Sequence, residues 1–394
     1  GMCMKRILWL LLFLCFALTP APVWAETSAE NAPQIAAQGA ALVDGRTGRV
    51  LWEKDGDTPM TMASTTKILT AVLVLENADL DGTVEISRNA APQPEEHMDL
   101  REGEEWKVGD LLSAMMLRSY NDAAVALAEY TSGSVEEFCA EMTAKAAEIG
   151  AKDTVFGSPN GLDSSLPLAQ HHSTASDMAR IAAYALENED FCRIVALPEI
   201  YIAEKNGGRQ ISVTNADRFL REYDGAMGVK TGYTNKAGHC FVGAAERDGV
   251  RLVSAVLGSG WGDSGKEKKW TDTRKLMDYG FAQYENYRAV EQGTAFGEVH
   301  VLDSPVETVG TILGEDYEAL FSKAEQESLR LEADLPETME PPVCIGDELG
   351  MARLMLGEET LAEIPLLADA DAPCFTLGQR LRRVAAGWLT WREF

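Results

Sequence analysis

Residues 62–72, with the sequence MASTTKILTAV, restrict the fold of this chain more than any other stretch. The apolar residues that follow Ser64 recur with the spacing of one buried helical face; they are Ile68, Leu69, Val72 and Leu75. Because several hydroxyl side chains precede them, we predict a helix start here. Ser64 then lies in the first turn, with Lys67 three residues later on the same face.

A serine one helical turn before a lysine is a candidate nucleophile beside a candidate base. Serine reacts poorly unless a neighbouring group takes its proton, and a lysine can do so only when burial or nearby positive charge lowers its pKa. That pKa must fall from roughly 10.4 toward about 7–8. An N-cap serine followed by a solvated lysine has the same spacing, so the interpretation depends on the rest of the chain.

The first 25 residues have the pattern of a secretory signal peptide. Lys5 and Arg6 precede an apolar run at residues 7–18, and a short segment ending in Ala25 follows. This order of basic, apolar and small-residue regions predicts cleavage after Ala25 and a mature protein that works outside the cytoplasm. An uncleaved membrane anchor is the alternative, although the run is short for a bilayer span.

The charge and the cysteines argue against several classes of function. The formal net charge is -27, and basic residues cluster only at the extreme C-terminus, so we expect no nucleic-acid partner. No metal or other cofactor is expected, because no spacing of Cys and His indicates a zinc site. The cysteines beyond the signal are scattered and odd in number, which predicts buried free thiols rather than a disulfide framework; they are Cys139, Cys192, Cys240, Cys344 and Cys374.

The patterning up to residue 290 predicts an antiparallel sheet flanked by helices. A helical subdomain, from about residue 80 to 217, is expected as an insertion between the strands of a domain that spans residues 26–290. The predicted elements are a hairpin at 40–43 and 49–52, helices at 108–130 and 135–149, a strand at 228–233, a hairpin at 240–245 and 250–257, and a helix at about 266–284.

Two further units follow. Residues 291–374 have the short alternating segments of a small β domain. Residues 375–394 place apolar side chains such as Leu381 and Trp388 on one helical face and add several arginines. A basic amphipathic helix of this kind is suited to an anionic membrane surface, with docking on the protein itself as the alternative. We therefore expect peripheral attachment to the outer face of the cytoplasmic membrane.

Three short motifs follow one another in a fixed order: S-x-x-K at residues 64–67, S-x-N at 119–121 and K-T-G at 230–232. The penicillin-recognising serine acyltransferases, which include β-lactamases and penicillin-binding proteins, share this ordered set. Together with the segments 40–45, 157–162, 172–179 and 224–234, the motifs resemble the low-molecular-weight penicillin-binding proteins over nearly the whole chain. The resemblance implies a serine-type D-alanyl-D-alanine carboxypeptidase with an α/β penicillin-recognising domain and a small C-terminal all-β domain.

The resemblance also implies the catalytic roles. Ser64 would attack the carbonyl between the two terminal D-alanines of a peptidoglycan stem pentapeptide and become an acyl ester. Lys67 would accept the serine proton, and Ser119 would relay it to the leaving amine. Asn121 would orient Lys67 and hold the substrate amide. β-Lactam antibiotics would act as covalent inhibitors.

Substrate binding follows from the same resemblance. Lys230 and Thr231 would bind the free C-terminal carboxylate of the peptide. Gly232 would let the strand approach the substrate backbone. The backbone N–H groups of Ser64 and Tyr233 would form the oxyanion hole.

Tyr120, in the middle of S-x-N, departs from the family pattern, in which this residue is usually small. If its ring lines the cleft, the substrate preference is expected to differ. For His172 and Arg221 we expect structural roles.

Three alternative functions share the motifs. A class A-like β-lactamase deacylates through a dedicated carboxylate between the second and third motifs, and no matching segment is found here. A D,D-endopeptidase acting on cross-linked peptidoglycan uses the same machinery. An inactive penicillin-binding scaffold would not need the intact motif residues.

Overall fold

The computed structural model describes residues 32–390. The predicted signal peptide, residues 1–25, lies outside the described residues, and so do residues 391–394 of the predicted C-terminal helix. Up to Gln283 the elements are, in chain order, β1 (Gly39–Asp44), β2 (Val50–Lys54), α1 (Lys67–Asn77), β3 (Thr83–Glu85), β4 (Glu105–Lys107), α2 (Val108–Arg118), α3 (Asn121–Ser132), α4 (Val135–Ile149), α5 (Ala175–Ala185), α6 (Glu189–Val195), β5 (Glu199–Ala203), β6 (Gln210–Thr214), α7 (Phe219–Glu222), β7 (Ala226–Thr234), β8 (Gly238–Arg247), β9 (Val250–Leu257) and α8 (Gly262–Gln283).

A five-stranded antiparallel sheet with the order β2-β1-β9-β8-β7 forms the centre of this part of the chain. Its two faces separate two cores, because alternate side chains of a strand point to opposite faces. In β1, Ala41 and Val43 belong to the larger core beneath the helices α1 to α6, whereas Ala40 and Leu42 pack with α8. The predicted α/β fold with an antiparallel sheet is confirmed.

The helix predicted over residues 108–130 is two helices, so that prediction is wrong in one respect. Helix α2 ends at Arg118, Ser119 adopts a left-handed conformation with φ 68°, and α3 begins at Asn121. The apolar spacing continues across the break because both helices pack against the same core. Periodicity therefore gave no sign of the turn that exposes Ser119.

An all-β unit follows directly on α8. Its elements are β10 (Tyr284–Val290), β11 (Ala295–Val301), β12 (Thr308–Leu313), β13 (Tyr317–Ser322), α9 (Lys323–Ser328), β14 (Leu329–Asp334), β15 (Thr338–Met339), β16 (Glu348–Leu356) and β17 (Glu359–Ala368). Arg49, in the β1–β2 hairpin, donates to Glu325 Oε1 and Oε2 at 3.0 Å each and to Leu320 O at 2.6 Å. Asp44 Oδ2 accepts from Leu320 N–H at 2.9 Å. These contacts join the first hairpin to the β unit.

Helix α10 (Leu377–Thr390) ends the described part of the chain. Leu377, Leu381, Val384 and Trp388 are each between 60% and 78% exposed. Within residues 32–390, no helix has the length and apolarity that crossing a membrane requires. The prediction of buried thiols is wrong for Cys344 and Cys374, which are exposed free thiols on loops of the β unit.

Candidate active site

Ser64 lies on a 3₁₀ turn, Ala63–Thr66, that leads directly into α1. The turn starts from an unusual backbone conformation, since Ala63 has φ 49°. Behind it lies Gly161, with φ +88°, where an added Cβ would be 2.0 Å from Ala63 O. Only glycine fits at that position without moving the turn. The α-helix begins only at Lys67, so Ser64 precedes it rather than lying in its first turn as expected. Lys67 Nζ lies 2.8 Å from Ser64 Oγ.

Lys67 is fully buried and gathers the polar groups of the site. Its Nζ donates to Asn121 Oδ1 and to Asn160 O, both at 2.7 Å, and lies 3.3 Å from Ser119 Oγ. Burial and the nearby charge of Lys230 lower the pKa of Lys67 well below its usual range. A neutral amine has two N–H groups and one lone pair. The two carbonyl oxygens can take the N–H groups, which leaves the lone pair for the Ser64 hydroxyl.

The loop at residues 94–100 holds the second motif in place through hydrogen bonds to the start of α3. Asn121 N–H donates to Glu96 O at 2.7 Å, and Asn121 Nδ2 donates to Pro94 O at 2.9 Å. The buried carboxylate of Asp122 accepts from the backbone N–H groups of Met98 and Leu100. Through these bonds the loop and the start of α3 hold the amide of Asn121 toward Lys67.

Tyr120, the residue that departs from the family pattern, is half-buried and packs against the larger core. Burial is the main cause that raises the pKa of its phenol. His172 Nδ1 lies 2.7 Å from Leu168 O within its own loop.

Asn160 is a member of the site that the sequence interpretation did not single out. Its backbone carbonyl, rather than its side chain, contacts Lys67. Its side chain instead orders the loop, because Asn160 Oδ1 accepts from Leu162 N–H and Asn160 Nδ2 donates to Gln93 Oε1. The Asn-Gly pair at 160–161 signals a turn, but nothing in a sequence assigns a carbonyl to a partner.

The third motif lies on β7, next to the Ser64 turn. A Cβ added at Gly232 would be 2.7 Å from Ser64 N. A residue with a side chain at this position would therefore collide with the Ser64 turn, and glycine lets the strand lie close to the nucleophile. Lys230 is 2% exposed and its Nζ donates to Thr231 O at 2.8 Å. Burial and then the charge of Lys269 lower the pKa of Lys230 to about 7. Tyr233 is 43% exposed, and its ring packs on His239 with centroids 4.4 Å apart.

The structure therefore gathers Ser64, Ser119 and Asn121 around Lys67, with Lys230 close enough to act through its charge. Thr231 and Tyr233 extend the same strand along a more exposed rim. Chemically the arrangement offers a hydroxyl nucleophile, an amine that can be neutral at physiological pH, and a second amine for an anion. Within residues 32–390, no three His, Cys, Asp or Glu side chains are grouped so that they could hold a metal ion.

Two protein families match this chain. Residues 26–260 match peptidase S11, described as D-alanyl-D-alanine carboxypeptidase. Residues 284–373 match the C-terminal domain of penicillin-binding protein 5.

Individual relatives cover most of the chain. The D-alanyl-D-alanine carboxypeptidase DacF of Bacillus subtilis is 32% identical over 98% of this chain and 99% of its own length. The D-alanyl-D-alanine carboxypeptidase DacC of Escherichia coli is 27% identical over 89% of this chain and 88% of its own. Among solved structures, penicillin binding protein 5 from Haemophilus influenzae is similar with a TM-score of 0.70 and 27% identity, covering 87% of this chain and 99% of that one.

Proposed function

This chain belongs to the D-alanyl-D-alanine carboxypeptidase family of serine peptidases, and we propose that it releases the terminal D-alanine of peptidoglycan stem pentapeptides through an acyl-enzyme on Ser64. The resemblance to low-molecular-weight penicillin-binding proteins, predicted from the three motifs, is confirmed. The chain is accordingly a serine hydrolase with carboxypeptidase activity.

One observation carries the assignment of Ser64 and Lys67: the buried Lys67 Nζ lies 2.8 Å from Ser64 Oγ. The same amine also donates to two carbonyl oxygens, Asn121 Oδ1 and Asn160 O, which hold it in place. In the proposed first step, Ser64 Oγ bonds to the carbonyl carbon of the penultimate D-alanine and passes its proton to Lys67. The proton then moves, with Ser119 as relay, to the amine of the leaving D-alanine as the amide bond breaks. Water hydrolyses the resulting ester and restores Ser64.

Strand β7 supplies the proposed binding groups. Protonated Lys230, with Thr231, holds the free carboxylate of the terminal D-alanine, which gives the enzyme its preference for a chain end. The N–H groups of Ser64 and Tyr233 stabilise the oxyanion, a contribution of about 10²–10³ in rate per donor. β-Lactams, which carry a carboxylate and an acylating carbonyl, are proposed to acylate the same serine.

The ends of the chain support a proposal about location. The pattern of residues 1–25 supports secretion, and the exposed apolar face of α10 supports attachment to an anionic membrane surface. Arg383 of α10 makes two contacts: its guanidinium carbon lies 4.5 Å from the centroid of the Phe375 ring, and its Nη1 lies 3.6 Å from Asp303 Oδ1 in the β unit. We propose that the catalytic domain, expected over residues 26–290, ends at Gln283, because β10 (Tyr284–Val290) pairs with β13 of the β unit. Residues 284–374 then lie between the catalytic domain and the membrane helix.

A pair of substrates tests the proposed function. We expect D-alanine release from a stem pentapeptide with a free C-terminus and strong resistance of the same peptide with an amidated C-terminus. Lys230→Met should remove this preference, and Ser64→Ala should abolish release from both. Equal turnover of the two peptides by the unaltered protein would contradict the role of Lys230.

A further inference from the structure

The loop at residues 157–171 is fixed to α1 directly behind the nucleophile. Lys67 Nζ donates to Asn160 O at 2.7 Å, and this bond is buried. Thr70 Oγ1, three residues later on the same helix, donates to Pro159 O at 2.6 Å, also in the interior. Hydrogen bonds that are shielded from water are stronger than exposed ones. The first part of the loop is therefore held firmly against the helix that follows the Ser64 turn.

Three residues after Asn160, the same loop reaches the end of β7. Thr234, the last residue of that strand, donates from Oγ1 to Asp163 Oδ2 at 2.8 Å. The same oxygen accepts from Ala237 N–H at 2.9 Å, in the turn that leads to β8. A hydroxyl can donate one hydrogen and accept another, so Thr234 joins the loop and the turn at one atom. Asp163 is 3% exposed and has no part in the proposed mechanism, so its burial needs a physical account.

The face of β7 that meets this loop also meets the Ser64 turn. Because alternate side chains of a strand point to one face, Lys230, Gly232 and Thr234 share a face. A Cβ added at Gly232 would be 2.7 Å from Ser64 N, which places the turn against that face. In the described sheet β7 is an edge strand, with β8 as its one neighbour. The free edge of β7 is therefore located by contacts on this face, and the bond to Asp163 is one of them.

We propose that Asp163 is a positioning residue for the oxyanion hole, acting through its hydrogen bond to Thr234. This bond ties the end of β7 to the loop that is fixed to α1. It thereby sets the distance between the N–H groups of Ser64 and Tyr233, because Tyr233 directly precedes Thr234 and Ser64 lies on the turn before α1. The inference rests on the proposed function, of which this oxyanion hole is a part. In the proposed mechanism Asp163 touches neither the substrate nor Ser64.

Loss of this bond is expected to affect the reaction and not the binding of the peptide. The oxyanion forms only as Ser64 attacks, so a displaced donor lowers kcat, whereas binding before the attack is unaffected. The proposed carboxylate site lies further back on β7, where Lys230 pairs with Val242 and Thr231 with Phe241 in the interior of β8. A shift confined to the end of the strand therefore leaves KM nearly unchanged.

The test combines D-alanine release from the free-acid stem pentapeptide with inhibition by a peptide boronic acid, both measured with the full chain. A boronic acid adds reversibly to Ser64 Oγ and places an oxygen where the oxyanion forms. Asp163→Ala and Thr234→Val should each lower kcat about 10–100-fold, with little change in KM. The affinity for the boronic acid should fall by the same factor, because the adduct resembles the transition state. The double variant should be no slower than either single variant, since both remove one bond.

Two kinds of control separate positioning from general stability. Thr234→Ser keeps the hydroxyl and Asp163→Asn keeps an oxygen acceptor, so both should retain most of kcat. Thr154→Val is the matched control away from β7, because Thr154 Oγ1 also donates to a buried aspartate, Asp177 Oδ2, at 2.8 Å. This variant should lower the temperature of thermal unfolding and leave kcat and the affinity for the boronic acid unchanged. If Asp163→Ala does not fold, Thr234→Val against Thr234→Ser decides the question alone.

Failure of this inference and failure of the proposed function give different results. If the unaltered protein releases D-alanine but the variants that lack the bond keep their kcat, or lose it no more than Thr154→Val does, the role of Asp163 is contradicted and the proposed function stands. Losses that add in the double variant contradict the role as well. If the unaltered protein releases no D-alanine from the free-acid peptide, the proposed function fails, and this inference fails with it.

Discussion

Lys67 Nζ lies 2.8 Å from Ser64 Oγ at the point where a 3₁₀ turn becomes helix α1. On the turn, Ser64 is partly exposed. Lys67, three residues later, is the first residue of the helix and is fully buried. A nucleophile must meet the substrate and its base must be desolvated. The change from a 3₁₀ turn to an α-helix places a partly exposed nucleophile and a buried base within one helical turn of each other.

Removing the amine of Lys67 is expected to slow acylation strongly while leaving the fold intact. Lys67→Met should lower the rate of β-lactam acylation by about 10²–10⁴, the usual contribution of a general base. Lys67→Arg should be equally impaired despite its charge, because a guanidinium does not lose its proton in proteins. The exposed Lys152→Met is the matched control and should acylate normally. A normal rate in Lys67→Arg would contradict the base role.

The acid limb of the pH profile is expected to report Lys67. Burial and then Lys230 lower its pKa in the folded protein, so the amine is neutral over a wider range than a solvated lysine. Below the lowered pKa the amine holds its proton and cannot accept that of Ser64, so the acylation rate should rise with pH through this value. Stopped-flow acylation by a chromogenic β-lactam measures the limb. A rate that rises only near the ordinary lysine pKa, about 10.4, would contradict the account.

Gly161 is expected to be required for the shape of the Ser64 turn. In Gly161→Ala the new Cβ would meet Ala63 O at 2.0 Å, so the turn must shift. A displacement of about 1 Å at a catalytic group commonly lowers the rate about 10²-fold.

Gly207 provides the matched control, because it also has a positive φ, +80°, but an added Cβ there has nothing within 4 Å. Gly207→Ala should cost about 1–2 kcal/mol of stability and leave acylation unchanged. Thermal unfolding and acylation rates, measured on both variants, separate backbone strain from the steric clash. Full activity in Gly161→Ala would show that the close approach is not needed.

Helix α10 is expected to bind anionic membranes independently of catalysis. Ending the chain after residue 374 should release the protein from phosphatidylglycerol vesicles and leave turnover of soluble peptide unchanged. Leu381→Asp with Val384→Asp should have the same effect, because these exposed side chains form the apolar face. Phosphatidylcholine vesicles serve as the uncharged control in a flotation assay. Retained binding of the shortened chain would assign the attachment to another part of the protein.

Local patterns in the sequence predict much of the fold, and the three motifs name the side chains that the structure gathers around Lys67. The two hairpins and the Ser64 helix were predicted because their spacing and turns lie within a few residues of one another. The apolar periodicity alone does not show the break at Ser119, because α2 and α3 share one core and keep the same apolar spacing. The carbonyl of Asn160 has no sequence signal at all.

The most direct test of the central claim is to locate the covalent adduct. After incubation with benzylpenicillin and proteolysis, mass spectrometry should find one penicilloyl group, on the peptide that contains Ser64. Ser64→Ala should carry none, whereas the matched control Ser132→Ala should be labelled as the unaltered protein is. An adduct on any other residue, or labelling of Ser64→Ala, would contradict the assignment of Ser64 as the nucleophile.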